Sequence, residues 1–204
     1  MRMKNRIYIL VIFTALMSSC AAIYNPIEPA YLSYELAGNY NGVKLAYRYG
    51  ILAELNNKRY AKKENKQQIK LVAVKLENTS NQTLVIGKDF NLSSNGQALD
   101  FINTTAAYQK LKQKNWPALG FLLLALTPPV QTTNGASVAD FPLGMVAGPM
   151  LAAGNIFVAI NANKQFQSEL QNNILLGSTI KPQETRYGII IINAAEEMPI
   201  EIKF

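Results

Sequence analysis

The sequence predicts a mainly β body that is interrupted by an apolar helical insertion. Residues 43–49 and 199–204 alternate apolar and polar side chains, as strands with one buried face do, and residues 69–77 form a β-rich run that is apolar enough for the centre of a sheet. Residues 104–177 are instead rich in helix formers and long apolar runs. Because strands from both ends of a domain must meet in one sheet, the helical part is an insertion. A chain of 204 residues, 49% apolar and 16% charged, is sized for one such domain.

The N-terminus has the three-part order of an export signal. Basic residues come first (Arg2, Lys4 and Arg6), an apolar run follows (Ile7–Leu16), and small serines precede Cys20. The apolar run is well short of the roughly 20 residues that a membrane-spanning helix needs. A signal peptide is therefore predicted.

The stretch Leu16-Met17-Ser18-Ser19-Cys20 resembles the lipobox of bacterial lipoproteins, in particular those of Bacteroidota. In that family the signal is cut before the cysteine, and the cysteine thiol is diacylated. The resemblance implies that Cys20 becomes the acylated first residue and anchors the protein in a membrane. Cys20 is the one cysteine of the chain, so it has no partner for an internal disulfide. An ordinary secretory signal and an uncleaved anchor are the alternative interpretations.

Three segments follow from this interpretation: a signal peptide over 1–19, a lipidated tether over 20–41 and a single domain over 42–204. Cleavage removes three basic residues and no acids, so the formal charge falls from +7 to +4. This modest positive charge favours an anionic membrane surface over nucleic acid as a partner, and no nucleic acid is expected.

The residues that follow Cys20 predict the compartment. They are Ala21-Ala22-Ile23-Tyr24-Asn25, without the aspartate that retains lipoproteins of enteric bacteria in the inner membrane. They also lack the acidic run that resembles a surface-export signal in lipoproteins of Bacteroidota. We therefore expect the outer membrane of a Gram-negative bacterium, with the body facing the periplasm.

The first part of the domain is predicted as a strand and an exposed connection. Val43–Tyr49 alternates strictly, and Ile51–Leu55 extends the same strand. Asn56–Gln68 contains five basic residues and one acid, Glu64, and is expected to be a solvated hairpin tip. A patch for lipid phosphates or an acidic partner is the alternative.

The next segment predicts the type of sheet. Ile69–Glu77 is a β-rich run, Asn78–Gln82 is a turn of backbone-binding side chains, and Asn95-Gly96 is typical of a tight hairpin. The stretch VAVKLENTSNQTLVIGKDFNLSSNG is similar to the strand-turn-strand of immunoglobulin-like domains. The resemblance implies an immunoglobulin-like β-sandwich, to which Thr179–Asn193 and Pro199–Phe204 add C-terminal strands.

The insertion is predicted as a helical hairpin. Thr104–Trp116 favours a helix, and Pro117 separates it from the apolar run Ala118–Leu126. A second helix is expected to begin near Pro142, with Asp140 as its cap, and to end at Gly177.

Three interpretations of this hairpin stay open, because Phe141–Ile160 contains no charged residue. The hairpin packs on the sandwich or on a partner protein, lies partly inserted at a membrane surface, or spans the membrane. The candidate residues for contact with a partner or a membrane are Trp116, Phe121, Leu123, Phe141, Met145, Met150 and Phe157.

The residue types argue against catalysis. The chain contains no histidine, which excludes histidine bases and histidine metal ligands. No two acids lie at a spacing that suggests a paired site, and no glycine-rich phosphate loop or GxSxG elbow occurs. We therefore expect no enzyme, no catalytic residue, no metal and no cofactor.

Two classes of function remain. In the first, the protein is a non-catalytic lipoprotein that acts as an accessory or docking subunit of an outer-membrane protein complex. In the second, it is a lipoprotein that binds a lipid or a small apolar ligand.

Overall fold

The computed structural model describes residues 21–114 and 143–204, and this part of the chain contains both antiparallel sheets and helices. The strands are β1 (Glu35–Tyr40), β2 (Val43–Arg48), β3 (Ile69–Asn78), β4 (Leu84–Val85), β5 (Asn91–Ser94), β6 (Gln97–Ala98), β7 (Thr179–Ile180), β8 (Thr185–Asn193) and β9 (Glu201–Lys203). The α-helices are α1 (Ile51–Glu54), α2 (Lys58–Lys66), α3 (Thr104–Leu111) and α4 (Leu143–Asn172). The prediction of a sheet-rich chain with helical segments is confirmed.

The largest sheet has four strands in the order β1-β2-β3-β8. Asn41 and Gly42 connect β1 to β2 with positive φ angles of 45° and 84°, which is the backbone of a two-residue hairpin turn. Strand β8 pairs with β3 along its whole length, from Thr185 opposite Glu77 to Asn193 opposite Ile69. The prediction that strands from both ends of the chain meet in one sheet is therefore confirmed.

Two smaller sheets accompany the large one. Strands β6, β5 and β9 form the first, and the predicted hairpin at Asn95-Gly96 joins β5 to β6 with φ angles of 49° and 76°. The predicted C-terminal strand is confirmed as β9, which pairs with β5. The second is the pair β4-β7, so the strand after the Asn78 turn leaves β3 and pairs with a C-terminal segment.

One hydrophobic core joins the three sheets. Its buried side chains come from the large sheet (Val43, Leu45, Val72, Val74, Leu76, Ile190 and Ile192), from the β4-β7 pair (Leu84 and Ile180) and from the three-stranded sheet (Leu92 and Ile202). Alternating residues of β2 point into this core, as the sequence pattern predicts.

The neighbouring strands β3 and β8 are buried on both faces over part of their length. Ile189–Ile192 are four consecutive residues without solvent exposure, and the face opposite to the core meets α1 and α2 at β3. Strands that are covered on both sides lose the alternation of polar residues and become continuous apolar runs.

The predicted turn of backbone-binding side chains at Asn78–Gln82 is confirmed. Asn78 is inaccessible to solvent, and its Nδ2 donates to Gln82 O at 2.7 Å and to Lys181 O at 3.1 Å. Its Oδ1 accepts from Ser80 N at 3.0 Å and from Ser80 Oγ at 2.7 Å. The side chain thus replaces the backbone partners that the turn lacks.

Within the segment 20–41, which is predicted as a tether, the structure contains a strand and a buried tyrosine. Glu35–Tyr40 is a sheet strand, and Tyr24 is buried against Tyr60 and Phe166, with ring centroids 5.4 and 5.5 Å away in edge-to-face geometry. These aromatic contacts give the segment enough buried area to order it.

Two predictions between β2 and β3 are wrong. Ile51–Leu55 does not extend the strand, because Gly50 adopts a left-handed conformation with φ of 69° and α1 begins after it. The lysine-rich segment is not a hairpin tip but helix α2, whose Tyr60 and Glu64 lie one turn apart and are both buried.

The end of the last helix also differs from the prediction. Helix α4 ends at Asn172 and not at Gly177, because the next residues pair with the edge of β8. Leu175 N donates to Ile189 O at 3.0 Å, and Ile189 N donates to Asn173 O at 2.7 Å. This tertiary pairing outweighs the helical preference of the segment.

The chain divides into two compact units. The described residues of the first unit are 21–23, 113–114 and 143–163, and those of the second unit are 24–112 and 164–204. The sheets and helices α1 to α3, up to Lys112, belong to the second unit, and α4 continues from the first into the second.

Candidate functional site

In the first unit, helix α4 has one buried and one exposed face, and both are apolar. Ala152, Ala159 and Ala162 are buried at a spacing of three or seven residues. On the other side, Met150 is 69% exposed and Phe157 is 67% exposed. A helix that is apolar all round is normally covered all round, so this exposed face is unusual.

The exposed face changes in polarity along the helix. Up to Ile160 the large exposed side chains are apolar, whereas Asn161, Lys164 and Gln165 continue the same face with polar atoms. Lys164 is also the first charged residue of α4. The boundary between apolar and polar character therefore lies between Ile160 and Asn161.

The first residues after Cys20 are held by side-chain amides. Ala21 N donates to Asn155 Oδ1 of α4 at 2.8 Å. Ala22 N donates to Gln113 Oε1 at 3.1 Å, and Gln113 Nε2 donates back to Ala22 O at 2.8 Å. These three bonds fix the backbone at positions 21 and 22, which has no strand neighbour there.

Gln113 is itself fixed by the helix. Its N donates to Asn163 Oδ1 at 2.6 Å, and its O accepts from Asn163 Nδ2 at 2.9 Å. Both residues are buried, so each bond satisfies a polar atom that water does not reach. A chain of amide pairs thus links Ala22, Gln113 and Asn163.

The structure describes only part of the predicted contact residues. Cys20, Trp116, Phe121, Leu123 and Phe141 lie outside the described residues. Met145 belongs to α4, and Met150 and Phe157 share its exposed face.

Sequence reasoning missed the three amides Gln113, Asn155 and Asn163. Asn155 and Asn163 lie eight residues apart in the part of α4 that precedes its first charged residue, Lys164. Such residues are costly in an apolar surrounding unless they have partners, which is the feature that identifies them as binding positions.

Within residues 21–114 and 143–204, none of the helices combines the length and the hydropathy of a membrane span. The same residues contain no group of three or more acids or cysteines placed to hold a metal ion.

The second unit has a surface cavity of about 370 Å³. It is lined by Glu35, Tyr47, Arg48, Tyr49, Glu197 and Met198. Two of its polar groups are engaged within the protein, since Arg48 Nε donates to Glu54 Oε2 at 2.6 Å and Tyr49 Oη donates to Met198 O at 2.9 Å. This arrangement contains no nucleophile paired with a base.

Two carboxyl groups of the second unit, the buried Glu64 and the half-buried Glu169, accept hydrogen bonds from backbone N–H groups. Glu64 Oε1 accepts from Leu71 N at 2.7 Å, and burial raises the pKa of Glu64 to about 7. Glu169 Oε2 accepts from Tyr24 Oη at 2.6 Å and from Ile27 N at 2.7 Å. Burial raises the pKa of Glu169, and burial together with the adjacent carboxylate raises the pKa of Tyr24. Each carboxyl group fixes a backbone segment, which is a structural role.

No protein-family model matches the chain, and neither curated proteins nor solved structures give a significant match.

Proposed function

We propose that the protein is a non-catalytic, lipid-anchored accessory subunit of an outer-membrane protein complex. Cys20 is the residue that bears the lipid, and the body faces the periplasm. The exposed face of α4 is the surface that contacts the surroundings of the anchor.

The observation that supports this proposal best is the contact that Ala21, the first described residue, makes with α4. Ala21, the residue after Cys20, is bonded to Asn155 in the middle of the apolar part of α4. Ala21 therefore contacts the same stretch of α4 that carries the exposed apolar side chains Met150 and Phe157. Exposed apolar surface of this kind commonly marks an interface.

The environment of the two carboxyl groups whose pKa values are raised supports a non-catalytic role. Glu64 and Glu169, whose pKa values are raised, both accept hydrogen bonds from backbone N–H groups of their own unit, as structural carboxyl groups do. A catalytic acid would instead be expected in a cleft within reach of a nucleophile or a substrate.

We further propose an immunoglobulin-like architecture for the second unit, in the sense of two antiparallel sheets packed on one core. The sheets of four and three strands with shared apolar residues support it. The strand order differs from that of immunoglobulin constant domains, because β1, β2 and β3 are sequential neighbours in one sheet.

Co-purification from mild detergent tests the accessory role. We expect envelope proteins to copurify in fixed stoichiometry with the tagged full-length chain. The matched control is the Cys20→Ser variant, which should not incorporate labelled palmitate and should lose these partners. A monomer that carries extractable lipid and no protein would instead support the lipid-binding function, and palmitate incorporation into Cys20→Ser would exclude the anchor.

A further inference from the structure

We propose that the surface cavity of the second unit binds a small alkylammonium ion, that is, a positively charged nitrogen that carries methyl or methylene groups. The cavity has a volume of about 370 Å³, and its lining includes two tyrosines, Tyr47 and Tyr49, and two carboxylates, Glu35 and Glu197. All four residues belong to the second unit. The inference therefore goes beyond the accessory role and does not depend on the anchor at Cys20.

The first argument is the arrangement of the two tyrosine rings. Their centroids are 5.8 Å apart and their planes meet at 85°, so Tyr47 and Tyr49 form a corner with aromatic sides. The face of such a ring attracts a cation that lies within about 6 Å of its centroid. Tyr49 is fixed in this position, because its Oη donates to Met198 O at 2.9 Å. The side chain of Met198 adds an apolar wall, which suits the carbon atoms of an alkylammonium ion.

The second argument is the charge of the cavity. Arg48 also lines it, but its Nε donates to Glu54 Oε2 at 2.6 Å and its Nη1 donates to Ser33 O at 3.2 Å, so its positive charge is already paired. In the described part of the chain, the carboxylates of Glu35 and Glu197 have no ion-pair partner. Two negative charges therefore remain to attract a cation.

The fold places these carboxylates beside the tyrosines. Glu35 of β1 lies directly opposite Tyr47 of β2, and residues in such a pair share one face of a sheet. Glu197 comes from the segment before β9, and its charge acts on Tyr49. Burial raises the pKa of Tyr49 to about 12 against the bond to Met198, and Tyr47 and Glu197 add to the increase. The site thus combines one carboxylate with each aromatic ring.

These features select a free alkylammonium ion over a lipid headgroup. The positive charge of the ion matches the carboxylates and the ring faces, and its C–H groups match the rings and Met198. A phosphate next to the ammonium group, as in a lipid headgroup, would be repelled by Glu35 and Glu197. The volume of about 370 Å³ also lies near the lower end of the range for ligand pockets, roughly 300–1,000 Å³, which suits a small ion.

A titration with choline tests the site by nuclear magnetic resonance. The full-length chain, with isotope-labelled methionine methyl groups, is purified in dodecyl maltoside, a detergent without an ammonium group. Met198 reports on the cavity, its signal is assigned with Met198→Leu, and Met150 in the first unit is the internal control. We expect choline chloride to shift the Met198 signal saturably and to leave Met150 unchanged. Sodium chloride at the same concentrations should cause no saturable shift.

Two pairs of variants test which groups bind the cation. Glu197→Gln removes one charge at nearly constant size and should weaken choline binding about threefold, as expected for an exposed charge pair. Glu196→Gln, the neighbouring acid outside the lining, is the matched control and should leave the affinity unchanged. Tyr47→Phe keeps a ring face and should still bind choline, whereas Tyr47→Leu should lose most of the binding. Circular dichroism checks that the variants are folded.

Three results would overturn the site. They are an unchanged Met198 signal, equal weakening by Glu197→Gln and Glu196→Gln, and equal affinities of Tyr47→Leu and Tyr47→Phe. If Tyr47→Leu does not fold, the pair of glutamate variants decides. Phosphocholine tests the source of the ammonium group, and we expect it to bind more weakly than choline. Equal or tighter binding of phosphocholine would overturn the free ion as the ligand and indicate a lipid headgroup.

Discussion

Asn163 binds both backbone groups of Gln113 through one side chain, with Oδ1 2.6 Å from Gln113 N and Nδ2 2.9 Å from Gln113 O. The backbone N–H and C=O of Gln113 are bonded as they would be by a neighbouring strand, but the partner is the side-chain amide of a helix residue. Gln113 repeats the arrangement toward Ala22. Gln113 and the start of the described chain are therefore held by side-chain amides rather than by a sheet.

Replacement of this amide should weaken the first unit. Asn163→Leu keeps the approximate size and removes both bonds, which leaves a buried N–H and a buried C=O of Gln113 without them. We expect a loss of about 2 kcal/mol or more in the free energy of unfolding. Urea denaturation measures the loss, and hydrogen exchange should accelerate at Gln113 and Ala22. The exposed neighbour Asn161→Leu is the control, with a change within about 0.5 kcal/mol. Unchanged exchange at Gln113 would contradict the role of Asn163.

The packing of Tyr24 leads to a second prediction. Tyr24→Phe keeps the ring contacts with Tyr60 and Phe166 but removes the bond to Glu169 Oε2. Because a partly buried bond to a carboxyl group is lost, we expect destabilisation by about 2 kcal/mol. Thermal unfolding measures it. Tyr31→Phe is the matched control, since Tyr31 is 84% exposed and should tolerate the change. Equal melting temperatures for both variants would show that the Tyr24 hydroxyl is dispensable.

The sequence predicts most of the strands because their signals are local. The alternation of β2, the apolar run of β3 and the Asn95-Gly96 turn each depend on neighbours in sequence, and each is present in the structure. A local signal of the same kind is present at one turn that sequence reasoning missed. Asn41-Gly42 is also a hairpin dipeptide, and its turn connects β2 to a strand in the segment that was interpreted as a tether.

The missed helical and polar features depend on distant partners. Helix α2 packs through the face that carries the buried residues Tyr60 and Glu64. Glu64 can be buried because Leu71 N donates a hydrogen bond to its carboxyl group. Asn155 has its partner 134 positions away, at Ala21. Pairing over such distances follows from the tertiary fold, which composition and periodicity do not specify.

The buried carboxyl group of Glu64 predicts a pH dependence of stability. Its pKa is raised from 4.5 to about 7, mainly by burial, with Leu71 N and Lys70 lowering it and Glu197 raising it. The folded state therefore retains a proton that the unfolded state loses between these pH values. This contribution to stability is complete below pH 4.5 and is lost as the pH rises through about 7.

Substitution of Glu64 should remove most of this dependence. Glu64→Gln keeps an oxygen for Leu71 N and cannot ionise, so we expect it to gain up to about 3 kcal/mol relative to the original protein between pH 4 and pH 8. Urea denaturation at both pH values measures the difference. Exposed Glu196→Gln is the control and should leave the pH dependence in place. Identical pH profiles for Glu64→Gln and the original protein would refute an ionisation of Glu64 in this range.

Two glycines predict opposite effects of the same substitution. A Cβ at Gly188 in β8 would lie 2.5 Å from Asn173 O and 2.6 Å from Leu175 Cγ, whereas a Cβ at Gly154 in α4 would meet nothing within 4 Å. The backbone of Asn173–Leu175 pairs with β8 at this point, so it has no room to move. Gly188→Ala should therefore force the last segment of the helical insertion away from the sheet.

We expect Gly188→Ala to lower the free energy of unfolding by about 3 kcal/mol through overpacking. Gly154→Ala should raise it by about 0.5–1 kcal/mol, because alanine restricts the unfolded chain and favours the helix. Urea denaturation of both variants measures the two signs. Hydrogen exchange at Ile189, whose N donates to Asn173 O at 2.7 Å, should increase only in Gly188→Ala. A neutral Gly188→Ala would mean that the Asn173–Leu175 segment does not pack against β8, and a destabilising Gly154→Ala would mean that a neighbour closely approaches this face of α4.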